Sequence, residues 1–198
     1  MLEKETLDFL KKLDKNNNRE WFQANKIEFD DAVADIDPKS CVFRIYRDVR
    51  FSKDKSPYKV NLGAYISPGG RKSMQPGYYF HLQPGASFVA GGKHIPDGPE
   101  LLRIRTAIAA NTDEFLKIIN KKSYSDTFGE MRGDRLKSVP KGFDPDPKAV
   151  EHLKLKEYMA FAELHDDKFL LSPEFPKYLV KTMKEMFPLI SFLRNALS

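Results

Sequence analysis

The run at 42–59, VFRIYRDVRFSKDKSPYK, constrains the fold most, because it joins a strand-like alternation to most of the chain's charge. Six cations, Arg44, Arg47, Arg50, Lys53, Lys55 and Lys59, stand against Asp48 and Asp54, so it carries +4 of a formal net charge of +5. Within 42–51, Phe43, Ile45, Val49 and Phe51 fall on one face and Arg44, Tyr46, Asp48 and Arg50 on the other, which predicts a half-buried β-strand. Arg47 shares the parity of the apolar set. A buried guanidinium is stable only when paired and hydrogen-bonded, so Arg47 either meets a carboxylate inside or reaches a cavity. A polar connection at 52–57 then leads to a second alternating segment at 60–66.

The flanking segments supply helices and turns. Leu2, Leu7, Phe9, Leu10 and Leu13 recur at helical spacing, Asn16, Asn17 and Asn18 end that helix, and a second one carries Trp21, Phe22 and Phe29. Trp21 reads as an inter-helix plug or as a stacking platform. Pro38 ends the second helix. After a basic loop with Arg71 and Lys72, the segments 78–83 and 86–91 form a hairpin around Pro84-Gly85, and Gly91-Gly92 ends the sheet. Asp97 and Pro99 start a helix, and Asn111 caps a shorter one bearing Phe115, Ile118 and Ile119. The glycines and prolines of 124–147 predict a loop-rich region, 148–153 a short helix, and 155–164 a strand or extended edge that helical spacing also fits. Ser172-Pro173 starts a final helical pair interrupted near Pro188. The expected fold is a single α+β domain over 1–198, an antiparallel sheet of about four to five strands packed with N-terminal and C-terminal helices.

Several function classes lose support on composition. The single cysteine, Cys41, makes no internal disulfide or cysteine-rich metal site, which predicts a reducing, cytoplasmic setting. No apolar run approaches the ~20 residues that span a bilayer, and the N-terminus has no apolar leader, so no membrane partner is expected. His81, His94, His152 and His165 show no compact metal-ligand spacing, and no residue pattern names a cofactor. Neither G-x-S-x-G nor a phosphate-binding glycine motif is present, Gly91-Gly92-Lys93-His94 included.

What remains is anion chemistry. Guanidinium forks bind phosphate or carboxylate oxygens in pairs and ammonium groups add point charge. The expected site therefore uses Arg44, Arg47, Arg50, Lys53, Lys55 and Lys59 with Tyr46, Tyr58 and Tyr79 to hold a phosphorylated or carboxylated small molecule, and Asp48 and His81 as proton-transfer groups in a hydrolase or transferase. A rival reading lines a nucleic-acid groove with Lys53, Lys55, Lys59, Arg71 and Lys72. A third makes the Arg/Asp/Tyr run a structural network joining sheet to helices.

The same run, RIYRDVRFSKDKSPYK at 44–59, resembles the hallmark of a family of conserved hypothetical proteins, domain of unknown function 2461. The likeness continues in Asn17-Asn18-Arg19-Glu20-Trp21-Phe22, Gly77-Tyr78-Tyr79-Phe80-His81, Gly91-Gly92, Arg103-Ile104-Arg105, Pro140-Lys141-Gly142 and Leu153-Lys154-Leu155-Lys156. It implies an α+β domain with no assigned activity. In one place the chain departs from the family: Asp35-Ile36-Asp37 stands where a longer helical stretch is usual. Either this member lacks that helix or residues are missing between Ala34 and Pro38; so short a link costs core coverage, which favours missing residues.

Overall fold

The computed structural model describes residues 38–41, 43, 48, 50, 51, 53, 61–83, 85–143, 146 and 148–198. The helices expected around Leu2 to Leu13 and Trp21 to Phe29, and the junction between Ala34 and Pro38, lie outside these residues. Among the described residues the chain runs through α1 (Pro38–Cys41), β1 (Leu62–Ile66), a 3-10 turn (Gly70–Lys72), β2 (Gly77–Leu82), β3 (Ser87–Lys93), α2 (Gly98–Ala110), α3 (Thr112–Ile119), α4 (Lys122–Phe128), α5 (Val150–Leu153), β4 (Tyr158–Leu164), α6 (Asp167–Leu170) and α7 (Phe175–Leu197). This is an α+β fold.

Four strands form one antiparallel sheet in the order β1-β2-β3-β4. Side chains alternate across it, so Tyr78, Val89, Tyr158, Ala160 and Ala162 point to one buried face. That face meets α7, whose Met186, Leu189, Ile190 and Leu193 are fully buried, with Ile104, Ile108 and Phe115 of α2 and α3 in the same core. Each such side chain contributes about 1.5–3 kcal/mol when taken from water.

Tertiary packing overrides several local signals. Pro188 does not interrupt the last helix: Phe175–Leu197 is continuous through it. A proline inside a helix removes one backbone donor, and here the flanking Leu189 and Ile190 are held in the core. The helix starts at Phe175, with proline in its first turn, rather than at Ser172-Pro173. Gly91 and Gly92 lie inside β3 instead of ending it. A Cβ on Gly91 would sit 2.7 Å from Met186 Sδ and one on Gly92 2.0 Å from Tyr158 O, so the two glycines are where helix and neighbouring strand come closest.

The loop-rich region contains α4, because Tyr124 and Phe128, one turn apart, both bury against the core and contact each other edge to face. Asn111 donates its side-chain amide to Ala107 O at the end of α2 and makes no side-chain cap for α3. Pro38 opens the single turn α1 rather than a break.

The expected strand at 42–51 does not extend through its described positions. Phe43 donates its backbone N–H to Gly63 O, yet Asp48, Arg50 and Phe51 carry no ladder, and Phe51, assigned to the inward face, is 95% exposed. The sheet's fourth strand is β4, from the segment whose spacing also fitted a helix.

Candidate functional site

Among the described residues, the sheet face opposite α7 borders a hollow. Alternation and register put Gly63 beside His81, His81 beside Phe88, Tyr65 beside Tyr79, and Tyr79 and Phe161 either side of Ala90. Small residues thus stand among large ones, and a cavity of about 640 Å³ opens between Phe43, Tyr65, Tyr79, Phe88, Met159 and Phe161. The rings form a connected wall. Phe43 meets Tyr79 edge on at 6.3 Å, Tyr79 meets Phe88 at 5.7 Å, and Phe88 meets Phe161 at 5.7 Å. Gly63 is required by this arrangement, since a Cβ there would lie 2.6 Å from Tyr79 Oη.

Behind the wall His81 stacks on Phe88 at 4.7 Å and nearly parallel. Its Nδ1 lies 3.1 Å from Tyr79 Oη and 3.4 Å from Asn61 Nδ2, and its Nε2 lies 3.0 Å from Gln83 Oε1. Burial pushes the Tyr79 hydroxyl above its ordinary range, so Tyr79 stays protonated at neutral pH. Tyr65 donates to Gln75 O at 2.6 Å, and burial raises its hydroxyl too.

Three basic side chains, Arg71, Lys93 and His94, line the cavity as well. Arg71 lies in the 3-10 turn and donates from Nη1 to Ser40 O. Lys93 reaches the cavity although its odd-numbered strand neighbours Val89 and Gly91 face the core; the alternation breaks at Gly92, whose φ is +137°. Its ammonium is buried on Glu100 Oε1 and Met74 O. His94 Nδ1 is 2.7 Å from Glu157 Oε2. Beside them Ile95 holds a φ of 45°, which a β-branched residue adopts only under constraint.

Of the residues singled out from sequence, Tyr79 and His81 come together at this site. Asp48 and Arg50 form an exposed two-pronged pair at 2.6 and 2.9 Å, Lys53 is exposed, and none of the three is among the described cavity-lining residues. Arg44, Tyr46, Arg47, Lys55, Tyr58 and Lys59 lie outside the described residues. Tyr65, Phe88, Phe161 and Lys93 were missed; alternation marked their strands but not which face would border a cavity. Among the described residues no three histidine, cysteine or acidic side chains gather as a metal site.

A family described as "Conserved hypothetical protein (DUF2461)" matches the chain over residues 5–37 and 26–192. The chain belongs to this family. The DUF2461 match breaks into two pieces that overlap at residues 26–37, around the place where the sequence departs from the family pattern. No curated protein and no solved structure matches the chain. Within this DUF2461 member, the family-like stretches Gly77-Tyr78-Tyr79-Phe80-His81 and Gly91-Gly92 lie in β2 and β3, and Tyr79 of the first lines the cavity.

Proposed function

We propose that this protein binds a small planar acid, a carboxylate or phosphate attached to an aromatic or heteroaromatic ring, in the cavity on the sheet face opposite α7. The observation that carries this is a cavity of about 640 Å³, walled by Tyr79, Phe88 and Phe161, with Arg71 also lining it. Ligand pockets of ~300–1,000 Å³ with apolar walls and a few polar groups are the usual receptacle for such molecules. Stacking on the rings supplies contact area and the guanidinium favours the acid. A concave aromatic hollow favours a compact ligand over a nucleic-acid strand, which calls for an extended basic groove.

The test is a thermal-shift screen of the full chain against aryl carboxylates, aryl phosphates and nucleoside monophosphates. A ligand at 100-fold its Kd stabilises by about 2.7 kcal/mol, a readily measured rise in Tm. The rise should be present in the wild-type chain and lost in both Phe161→Ala and Arg71→Gln. An inert panel, or equal shifts in wild type and variants, would overturn the proposal. Salt-sensitive binding of a single-stranded oligonucleotide unaffected by Phe161→Ala would replace it with the nucleic-acid reading.

We also place the protein in the cytoplasm, on its single cysteine, which is buried. Among the described residues no helix is long and apolar enough to cross a membrane. Recovery of the native protein in an oxidising compartment on cell fractionation would refute this placement.

A further inference from the structure

We infer that the ligand carries an N–H or O–H donor directed at Tyr79, because Tyr79 presents only lone pairs to the cavity. The inference rests on the small-acid proposal above and narrows its ligand class.

A phenol has one proton to donate. His81 decides where that of Tyr79 goes. Nε2 of its ring faces the carbonyl oxygen of the Gln83 amide at 3.0 Å, so it carries the hydrogen. Nδ1 faces the Asn61 amide nitrogen, a donor, at 3.4 Å, so it is the bare acceptor. Tyr79 Oη, 3.1 Å from that same Nδ1, therefore donates to it. The opposite tautomer would set N–H against the N–H of Asn61 and a lone pair against the Gln83 oxygen, and would need both amides to turn over together. The Phe88 ring stacked on His81 and the Gly63 backbone beneath Tyr79 hold both rings in this relation.

Tyr65 differs. Its proton goes to Gln75 O at 2.6 Å, and the Ser67 hydroxyl acts on the tyrosine oxygen, so Tyr65 is satisfied within the protein and Tyr79 is the hydroxyl left to a ligand. An acceptor on an aromatic wall, with Arg71 lining the same cavity, suits a ring that bears an acid at one end and a hydroxyl or ring N–H at the other. A methylated ring oxygen or nitrogen would bring no hydrogen to Tyr79 and would leave its lone pairs desolvated without a partner.

Two measurements test this. Two-bond ¹H–¹⁵N NMR of the ligand-free full chain at pH 8, with His81→Gln to assign the signals, should show His81 as the neutral Nε2–H tautomer. An Nδ1–H or doubly protonated ring overturns the inference whatever binds. Matched probes then test the ligand: 4-hydroxybenzoate against 4-methoxybenzoate, and indole-3-carboxylate against its N-methyl form. The donor-bearing member of at least one pair should bind tenfold or more tightly, and Tyr79→Phe, which keeps the ring, should erase that preference. Equal binding within both pairs, or a preference that survives Tyr79→Phe, overturns it. If neither member of either pair binds, the ligand class fails with the small-acid proposal, while the NMR result still decides the Tyr79–His81 bond separately.

Discussion

Lys93 Nζ lies 2.7 Å from Glu100 Oε1, with only 2% and 15% of the two side chains exposed, so the end of β3 and the start of α2 are joined by an ion pair largely removed from water. Glu100 also accepts from the Asp97 backbone through Oε2 while Asp97 caps Glu100 N, a reciprocal capping box. One carboxylate thus ties a strand, a helix cap and, through Lys93, the carbonyl of cavity-lining Met74.

Glu100→Ala should therefore destabilise far more than a surface substitution, since it leaves a buried ammonium without its counter-charge. The expected loss is about 3–5 kcal/mol by urea unfolding. The double change Lys93→Met with Glu100→Met should recover a large part of it, because the desolvation cost disappears with the charges. A single-variant loss below about 1 kcal/mol would show that the pair is not the fastening described.

Two glycines with positive φ should respond very differently to alanine. At Gly92, φ +137°, the new Cβ would meet Tyr158 O at 2.0 Å, whereas at Gly85, φ +69°, it meets nothing within 4 Å. Gly85→Ala should lose about 1–2 kcal/mol, the cost of a left-handed residue with a Cβ. Gly92→Ala adds a backbone collision and should lose roughly 2–6 kcal/mol or fail to accumulate as folded protein. Equal denaturation midpoints for the two variants would refute the close β3–β4 contact.

Acid sensitivity should begin near neutrality. Burial holds the His152 imidazole below its ordinary 6.5, and Arg135 acts in the same direction, against Glu151 and Glu130. The unfolded chain accordingly binds the proton first as pH falls: the contribution is complete above pH 6.5 and drains away as pH drops from there through the lower folded value. Glu163 is held below 4.5 by hydrogen bonds from Arg132 and His165, so its contribution fades only in more acid solution. Denaturant midpoints from pH 7.5 to 5 should fall in the wild-type chain and stay flatter in His152→Gln. Parallel slopes in the two proteins would remove His152 as the source.

At the alkaline end the sign reverses. Burial pushes the Tyr78 and Tyr158 hydroxyls up to about 12 and the Tyr124 hydroxyl higher still, each above an ordinary value of 10. Their stabilisation is intact below pH 10 and is lost as pH rises through the folded values. A phenolate absorbance titration should show a late step that coincides with loss of circular dichroism. Smooth ionisation of every tyrosine near pH 10 with the fold intact would contradict this burial.

The candidate site was legible only in part. Tyr79 and His81 were placed on one strand face by alternation alone, and their 3.1 Å contact follows from that spacing. The cavity that Tyr79 lines was not legible, because a period of two tells which residues share a face but not what space lies in front of it. The charge of 42–59 was read as the site itself; of those charged residues Asp48, Arg50 and Lys53 are described, and Arg50 pairs with Asp48 two residues away.

Local chemistry determined what short-range geometry controls: the hairpin around Gly85, the helix start at Asp97, the extended segments later joined as a sheet, and family membership carried by motif. Tertiary structure decided the rest. Pro188 stays inside a helix because the residues beside it are held in the core, Gly92 lies inside a strand because Tyr158 approaches closely, and Lys93 is buried because Glu100 meets it. Each outcome depends on a partner far away in sequence, and only the folded chain brings that partner within reach.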